Sequence, residues 1–332
     1  MITNMKKKTV KLTFLFLVVA ISGCSFYQAH ALTISPARIE VSGDPSQTIT
    51  GEILLINEQE EEKTFYSSVE NFEAQGESGT PSFSASKEGL ASWVSVQSEV
   101  ILKKGEQKKV PFSIVIPAGA DAGGHFAAIF LSTIPPSVQA GQVSVGAKIG
   151  MLILLRVNGE IKEGGGIIDF ASENNKKFFV ALPVNFSYRL NNEGNDRINP
   201  KGEVVIRNTI GLKTDALDAN PGQGNILPGS TRKIDLIWGG DEKPLDSGFF
   251  TMVMFELTHF AFGRYTAHLN VSYGEHGNAE AKTAIYVLPW QLLTCVLIIG
   301  LGGLTFLIIF IKRYNRWIIK RVKESTPNLG SQ

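Results

Sequence analysis

The stretches VPFSIVIP (110–117) and PVNFSYRL (183–190) decide the fold, because each alternates apolar and polar residues. A β-strand places every second side chain on one face, so this alternation is typical of a half-buried strand. The apolar sets that share a face are Val110, Phe112, Ile114 and Ile116, and Val184, Phe186, Tyr188 and Leu190. Segments rich in Gly, Pro and Asn separate similar runs, and we find no sustained helical stripe between them. We therefore predict an all-β chain built from β-sandwiches.

An internal repeat indicates two such domains. GEQKKVPF (105–112) and GSTRKIDL (229–236) both begin with a turn glycine, carry a lysine four residues later and continue into an apolar strand. A second matching pair, GHFAA (124–128) and GRYTA (263–267), follows in the same order. In each copy we expect a polar turn, a strand, a turn glycine and then a central strand opened by an aromatic residue.

Glycines mark the boundary between the two copies. NGEIKEGGG (158–166) interrupts the strand pattern and indicates a hinge. We predict a first sandwich at 32–160, a linker at 161–167 and a second sandwich at 168–287. The run VSVGAKIGMLILLRV (143–157) is apolar on both faces but too short to cross a membrane, so we expect it to be the fully paired last strand of the first sandwich.

Basic residues followed by a short apolar run identify residues 1–31 as a signal peptide. The run has two candidate ends. AHA has small residues at Ala29 and Ala31, so that cleavage makes Leu32 the first mature residue, whereas ISGC matches a lipid-attachment signal on Cys24. Because the first strand is predicted to begin at Leu32 and another anchor is predicted near the other end of the chain, we favour cleavage after Ala31. Lipidation of Cys24 is the alternative.

A second apolar segment is long enough to cross a bilayer. Residues 292–311 contain no charged side chain, and 20 residues of helix span about 30 Å. We predict a transmembrane helix at 289–311 and a basic cytoplasmic tail at 312–332, which leaves the sandwiches on the extracytoplasmic side of the cell membrane. The residues expected to anchor the helix at the membrane interfaces are Trp290, Lys312, Arg313, Tyr314, Arg316 and Trp317.

Charge and cysteine content exclude several classes of function. Residues 32–311 carry 22 basic and 30 acidic side chains, so nucleic acid is not an expected partner. Cys24 and Cys295 both lie in apolar segments, and no cysteine lies between them. We therefore expect neither a disulfide within a domain nor a cysteine-based metal site.

Catalytic motifs are also missing from the sequence. The exported histidines have no metal-binding spacing, and no serine lies in a nucleophile motif. The acidic segment NEQEEEK (57–63) is expected to be a solvated turn, and NNEGND (191–196) lacks the order of an EF-hand loop. We expect no enzyme, cofactor or metal. His125 is expected at a structural turn and His268 on a solvent-facing strand position; the other two exported histidines are His259 and His276.

The order of several segments resembles a family of bacterial surface proteins. These proteins have a WxL-interacting protein peptidoglycan-binding domain, a second immunoglobulin-like domain and a C-terminal membrane anchor. The segments that carry the resemblance include LTISPARIEV (32–41), ASWVSV (91–96), LKKGEQKKVPFSIVIPAGADAGGHFAAIFLS (102–132) and FGRYTAHLNVSYG (262–274). The resemblance implies two tandem immunoglobulin-like β-sandwiches, the first bound to the cell wall and the second to partner proteins.

The first domain also resembles the periplasmic pilus chaperones. Their first sandwich ends in a long strand that can pair with another subunit. An arginine of their first strand and a cation of their last strand together bind the terminal carboxylate of that subunit. Arg38 matches the first position, but Arg156 lies too near the end of its strand to match the second.

From these patterns we expect a non-catalytic, single-pass membrane protein that binds a cell wall polymer or another envelope or surface protein. The alternative is a chaperone-like strand donor or acceptor in envelope assembly. The sequence predicts neither the ligand-binding residues nor the oligomeric state.

Overall fold

The computed structural model describes residues 32–86, 88–135, 148–240 and 248–325. The chain is mostly β-sheet, with 51% of residues in strands, and an apolar helix lies near its C-terminal end. The predicted signal peptide lies outside the described residues, together with its candidate positions Cys24, Ala29 and Ala31.

Contacts divide the chain into two compact units. Unit 1 takes the chain up to Asn71 together with Ser84–Gly119 and Phe126–Leu155. Unit 2 takes Phe72–Phe83, Ala120–His125 and the chain from Arg156 onward.

The ten N-terminal strands form two sheets. The first sheet has the order β1-β3-β8-β6, and the second has the order β2-β10-β9-β4-β5 with β7 also paired to β4. Their bounds are β1 (Leu32–Ser35), β2 (Arg38–Gly43), β3 (Thr48–Asn57), β4 (Lys63–Gln75), β5 (Thr80–Ser84), β6 (Val94–Val96), β7 (Glu99–Leu102), β8 (Gln107–Val115), β9 (Gly123–Ser132) and β10 (Lys148–Val157). A short 3₁₀ turn, Leu90–Ser92, precedes β6.

The next eight strands form two further sheets, with the orders β11-β13-β16 and β12-β18-β17-β14-β15. Strand β12 pairs with β18 in parallel, and β17 pairs with β14 and β18 in antiparallel fashion. Their bounds are β11 (Gly165–Ser172), β12 (Phe178–Phe179), β13 (Val184–Asn192), β14 (Lys201–Arg207), β15 (Lys213–Asp218), β16 (Thr231–Trp238), β17 (Gly263–Tyr273) and β18 (Gly277–Val287). A second short turn lies at Glu173–Asn175. Strand β11 begins inside the segment that we predicted as a linker.

Two α-helices complete the described chain. Helix α1 (Phe249–Thr258) lies between β16 and β17, and helix α2 (Trp290–Ser325) follows β18. The prediction that the exported region has no helix was therefore wrong. The FFTMVMFELT segment is apolar at nearly every position, so it shows no polar face from which a helical period could be recognised.

The alternating faces predicted from the sequence are confirmed. The eight apolar side chains predicted to share these faces, in 110–116 and 184–190, are each 5% exposed or less. They come from β13, from β8 and from Ile116 just after β8. Buried side chains of the three-stranded and five-stranded sheets belong to one hydrophobic cluster, with Phe186 and Tyr188 from one sheet and Leu269 and Val271 from the other. Each fully buried aliphatic or aromatic side chain contributes about 1.5–3 kcal/mol, so this cluster stabilises unit 2 without a disulfide.

Each repeat copy contains a buried asparagine at the end of the strand that pairs with the repeat strand. Asn57 ends β3 and Asn192 ends β13, and they are 0% and 1% exposed. The side-chain amide of Asn57 donates to the carbonyl oxygens of Leu102 at 3.0 Å and Lys103 at 3.1 Å, in the turn before β8. The amide of Asn192 donates to the carbonyl oxygen of Ile226 at 3.0 Å, in the segment before β16. The two asparagines therefore tie a strand end to the equivalent turn in both copies.

The turn glycines complete this shared geometry. The N–H of Gly105 donates to the carbonyl oxygen of Asn57, and the N–H of Gly229 donates to that of Asn192, both at 2.8 Å. The two glycines have φ values of 68° and 66°, which a residue with a Cβ atom adopts only with strain. The repeat seen in the sequence is thus a repeat of structure. The copies differ in that β8 is paired on both sides, whereas β16 lies at the edge of its sheet.

We predict that Asn57→Ala and Asn192→Ala each lower the free energy of unfolding by about 2 kcal/mol, because each removes a buried amide that donates two or more hydrogen bonds to backbone carbonyl oxygens. Urea denaturation of the detergent-solubilised chain measures the change. Asn278→Ala is the matched control, since Asn278 is exposed on β18. Equal stability of all three variants would contradict a structural role for the buried asparagines.

Candidate functional site

Helix α2 is the longest element of the described chain. It has 36 residues and is about 54 Å long, which exceeds the roughly 30 Å hydrocarbon core of a bilayer. In the part of the chain that the structure describes, it is the one helix long and apolar enough to cross a membrane, with a mean hydropathy of 2.6 over an 18-residue window. None of that window is buried in the protein. A continuous exposed apolar surface of this size is typical of a surface that contacts a membrane or another protein.

The aromatic residues predicted as membrane anchors lie at the two ends of this apolar segment. Trp290 is the first residue of α2 and is 48% exposed. Near the other end, the rings of Tyr314 and Trp317 stack at 6.1 Å, and the guanidinium of Arg321 lies 4.3 Å from the centre of the Trp317 ring. Their placement at a membrane surface stays a prediction.

The helix extends beyond the segment predicted to span the membrane. Lys312, Arg313 and Arg316 lie within α2, because the helix continues past Ile311 to Ser325. Lysine, arginine and isoleucine all tolerate helical geometry, and the segment has neither proline nor glycine to end the hydrogen-bond ladder. The first part of the predicted basic tail is therefore helical.

Helix α1 packs against the beginning of α2. The ring of Phe249 lies 6.1 Å from the ring of Trp290 in an edge-to-face arrangement. Glu256 lies between the two helices and is 0% exposed. Its Oε2 atom accepts a hydrogen bond of 2.6 Å from the backbone N–H of Leu292. Sequence reasoning overlooked this pair of helices, although Glu256 is the only charged residue between Gly248 and Gly263.

Glu256 acts as a cap for α2. The first backbone N–H groups of a helix have no partner within the helix, and the helix dipole makes this end positive. The carboxylate supplies an acceptor and a negative charge at this end, and it comes from a different helix. The Oε1 atom of Glu256 has no hydrogen-bond partner among the described residues. The carboxylate therefore holds α1 to α2 and directs its charge away from solvent.

An open groove lies on the outer face of the sheet that contains β3, β6 and β8. It has a volume of about 700 Å³. The groove presents hydroxyl and amide groups, which are the groups that hydrogen-bond to sugars, and an ion pair of 2.9 Å between Lys109 and Glu52 lies at this face. The hydrogen bond to Glu52 and its charge raise the pKa of Lys109. The polar side chains that line the groove are Thr50, Glu52, Ser95, Gln97 and Ser113.

A smaller cleft of about 270 Å³ lies in unit 2. Asp196 lies 3.5 Å from the Nε atom of Arg156. The carboxylate of Glu163 accepts hydrogen bonds from the backbone N–H groups of Glu275 and His276, which lower the pKa of Glu163. The acidic and basic groups of this cleft pair with one another. The cleft therefore holds loops together and presents no surface of a single charge to a ligand.

The four histidines lie on different parts of the described chain. His125 lies near the start of β9, and its Nε2 atom is 2.8 Å from the carbonyl oxygen of Asp121 in the segment before that strand. His268 lies on the outer face of β17, opposite the buried Ala267 and Leu269, as predicted, and it is partly exposed. Burial lowers its pKa, and the charges of Lys282 and Arg207 lower it further. Within the described ranges, no three His, Cys, Asp or Glu side chains form a group that could hold a metal ion. The remaining histidines are His259, just after α1, and His276, between β17 and β18.

The two arginines compared with those of the pilus chaperones, Arg38 and Arg156, form ion pairs within the chain. Arg38 lies 3.4 Å from a carboxylate oxygen of Glu40, and Arg156 pairs with Asp196. The chaperone alternative also requires an accessible edge along 143–157. Residues 143–147 lie outside the described part of the chain, and the rest forms β10, a central strand between β2 and β9.

No family model and no curated protein matches the chain. Among solved structures, it is similar to the class 5 fimbriae chaperone CfaA, with 12% identity and a TM-score of 0.38, over 78% of this chain and 100% of that one. It is similar to the E. coli chaperone DraB with 13% identity and a TM-score of 0.32, over 78% and 98%. A protein of unknown function from Porphyromonas gingivalis is 14% identical, with a TM-score of 0.27, over 77% and 99%. Likenesses at these TM-scores carry no argument about function.

We predict that Glu256→Leu increases hydrogen exchange of the Leu292 amide by about tenfold or more, because a hydrogen bond to a charged group contributes about 1.5–3 kcal/mol. Glu256→Gln, which keeps an acceptor oxygen, should have a smaller effect. Mass spectrometry of peptides covering the start of α2 measures the exchange. Glu280→Leu on β18 is the control, and an equal change in that variant would show that Glu256 does not cap α2.

Proposed function

We propose that this chain is a non-catalytic, single-pass membrane protein that displays two immunoglobulin-like β-sandwiches outside the cell and binds an envelope component. The observation that carries the proposal is helix α2, an exposed apolar helix of membrane-spanning length that follows the last strand directly. The basic residues from Lys312 onward favour the cytoplasm for the end of α2, which places the sheets on the extracytoplasmic side. The low number of basic groups in the exported region argues against nucleic acid as a partner.

We assign the binding role to a cell wall polymer, with an envelope or surface protein as the other class of partner. Support comes from the resemblance of the first domain to peptidoglycan-binding domains and from the open groove of about 700 Å³ on its sheet. Thr50, Ser95 and Gln97 offer both donors and acceptors there, as a glycan requires. The net negative charge of the exported region favours recognition of neutral sugar hydroxyls over anionic polymers.

The proposed topology predicts opposite labelling on the two sides of the membrane. Cysteines introduced at Ser82 and at Ser331, in a chain that lacks Cys24 and Cys295, are exposed to a membrane-impermeant maleimide on bacterial spheroplasts. We expect labelling at residue 82 in intact spheroplasts and at residue 331 only after lysis. Labelling of residue 331 in intact spheroplasts, or protection of residue 82, would contradict the proposed orientation.

The proposed binding predicts that the solubilised chain sediments with purified cell wall. Thr50→Ala with Gln97→Ala removes hydrogen-bonding groups from the groove and should lower the bound fraction by about fivefold or more, since each hydrogen bond contributes about 1 kcal/mol. Gln75→Ala with Thr80→Ala, in the β4–β5 hairpin, is the matched control. If the groove variant binds cell wall as well as the unchanged chain does, the assignment of wall binding to this face is refuted. Binding to neither wall nor envelope extract would refute the binding role and leave the topology intact.

A further inference from the structure

The surface of helix α1 that does not contact α2 is apolar and exposed. Phe250, Met254 and Leu257 are 77%, 59% and 54% exposed. They are spaced four and three residues apart, so they lie on one face of the helix. Phe260 and Phe262, which follow the helix, are 60% and 52% exposed and extend this apolar surface.

The opposite face of α1 is already covered. Phe249 contacts Trp290, and Glu256 is buried against the start of α2. An exposed apolar helix face of this kind marks a surface that contacts protein or lipid. One side of α1 is shielded by α2, so the side formed by Phe250, Met254 and Leu257 requires another apolar surrounding.

The position at which α1 contacts α2 indicates what surrounds the exposed apolar side of α1. The contacts of α1 fall at Trp290 and Leu292, which begin the helix that we propose to span the membrane. The apolar surface of α2 starts at the same level, since Trp290 and Val296 are 48% and 59% exposed. The exposed surfaces of the two helices are therefore neighbours, and a bilayer that covers the start of α2 also reaches α1.

The charge distribution fits a lipid surrounding. Glu256 is the one charged side chain between Gly248 and Gly263, and it is directed into the contact with α2. The imidazole of His259 stacks on the ring of Phe255 at 4.3 Å. The face that carries Phe250, Met254 and Leu257 thus has no ionised group, so its transfer from water into lipid incurs no charge desolvation.

We propose that α1 is embedded in the extracytoplasmic interface of the bilayer through Phe250, Met254 and Leu257. This inference rests on the proposed membrane anchoring by α2. Interfacial helices bury their apolar face about 5–10 Å into the boundary between headgroups and acyl chains. Two helices then attach unit 2 to the membrane: α1 lies along the membrane surface and α2 crosses the membrane. Glu256 joins the two helices.

The test measures contact between single residues and lipid. In the full chain without Cys24 and Cys295, an NBD fluorophore is attached to a cysteine at Met254, Thr251 or Ile299, and each variant is reconstituted into phosphatidylcholine vesicles. Some vesicles contain phospholipid with a nitroxide at the top of the acyl chain, and others contain it near the chain end. Thr251 is the matched control, because it is exposed on another face of the same helix.

We expect the label at Met254 to be quenched by the shallow nitroxide, the label at Thr251 to be quenched much less, and the label at Ile299 to be quenched by the deep nitroxide. A label at Leu257, on the same face as Met254, should repeat the first result. Quenching at Ile299 without quenching at Met254 and Leu257 would overturn the inference but not the membrane anchor. No quenching at Ile299 would overturn the anchor itself. A blue-shifted but unquenched label at Met254 would show that protein, such as a second copy, covers α1.

Discussion

The hydrogen bonds of two buried asparagines hold together the parts of this protein that lie far apart in sequence. Asn57 reaches carbonyl oxygens 45 and 46 residues later, and Asn192 reaches one 34 residues later. In both cases the amide meets a turn that opens the strand paired with its own strand. A buried side-chain amide without acceptors is costly, so each asparagine at a strand end is stable only together with its turn. The register of β3 with β8 and of β13 with β16 follows from this contact.

The same constraint explains why the two halves resemble each other although their sequences differ. The turn glycines Gly105 and Gly229 accept a positive φ, and the asparagines donate hydrogen bonds to carbonyl oxygens of these turns. Once these four residues are in place, the strands require only alternating apolar side chains of suitable size. This is a weak demand on sequence, and it allows the outer faces of the sheets to vary. The groove over β3, β6 and β8 lies on such an outer face, where its polar residues can change without cost to the core.

Helices α1 and α2 form a separate, apolar part of unit 2. The contact between them contains one carboxylate and one aromatic pair, and both lie at the first turn of α2. Glu256 compensates the positive end of that helix while its own charge is removed from the apolar surface. With α1 in the bilayer interface, as we propose, the contact would restrict the tilt of unit 2 on the membrane.

The sequence by itself determined the features that depend on local pattern: alternating strands with their buried faces, the turn glycines of the repeat, and a helix long and apolar enough to cross a membrane. These features follow from the period of a strand and the length of an apolar run, which neighbouring residues express directly. Only the tertiary structure decided that Asn57, in a segment expected to be a solvated turn, is fully buried, because its partners lie 45 residues away. It also decided that FFTMVMFELT is a helix. An apolar run without a period is compatible with either a strand or a helix, and the choice here depends on the contact of Glu256 and Phe249 with the start of α2.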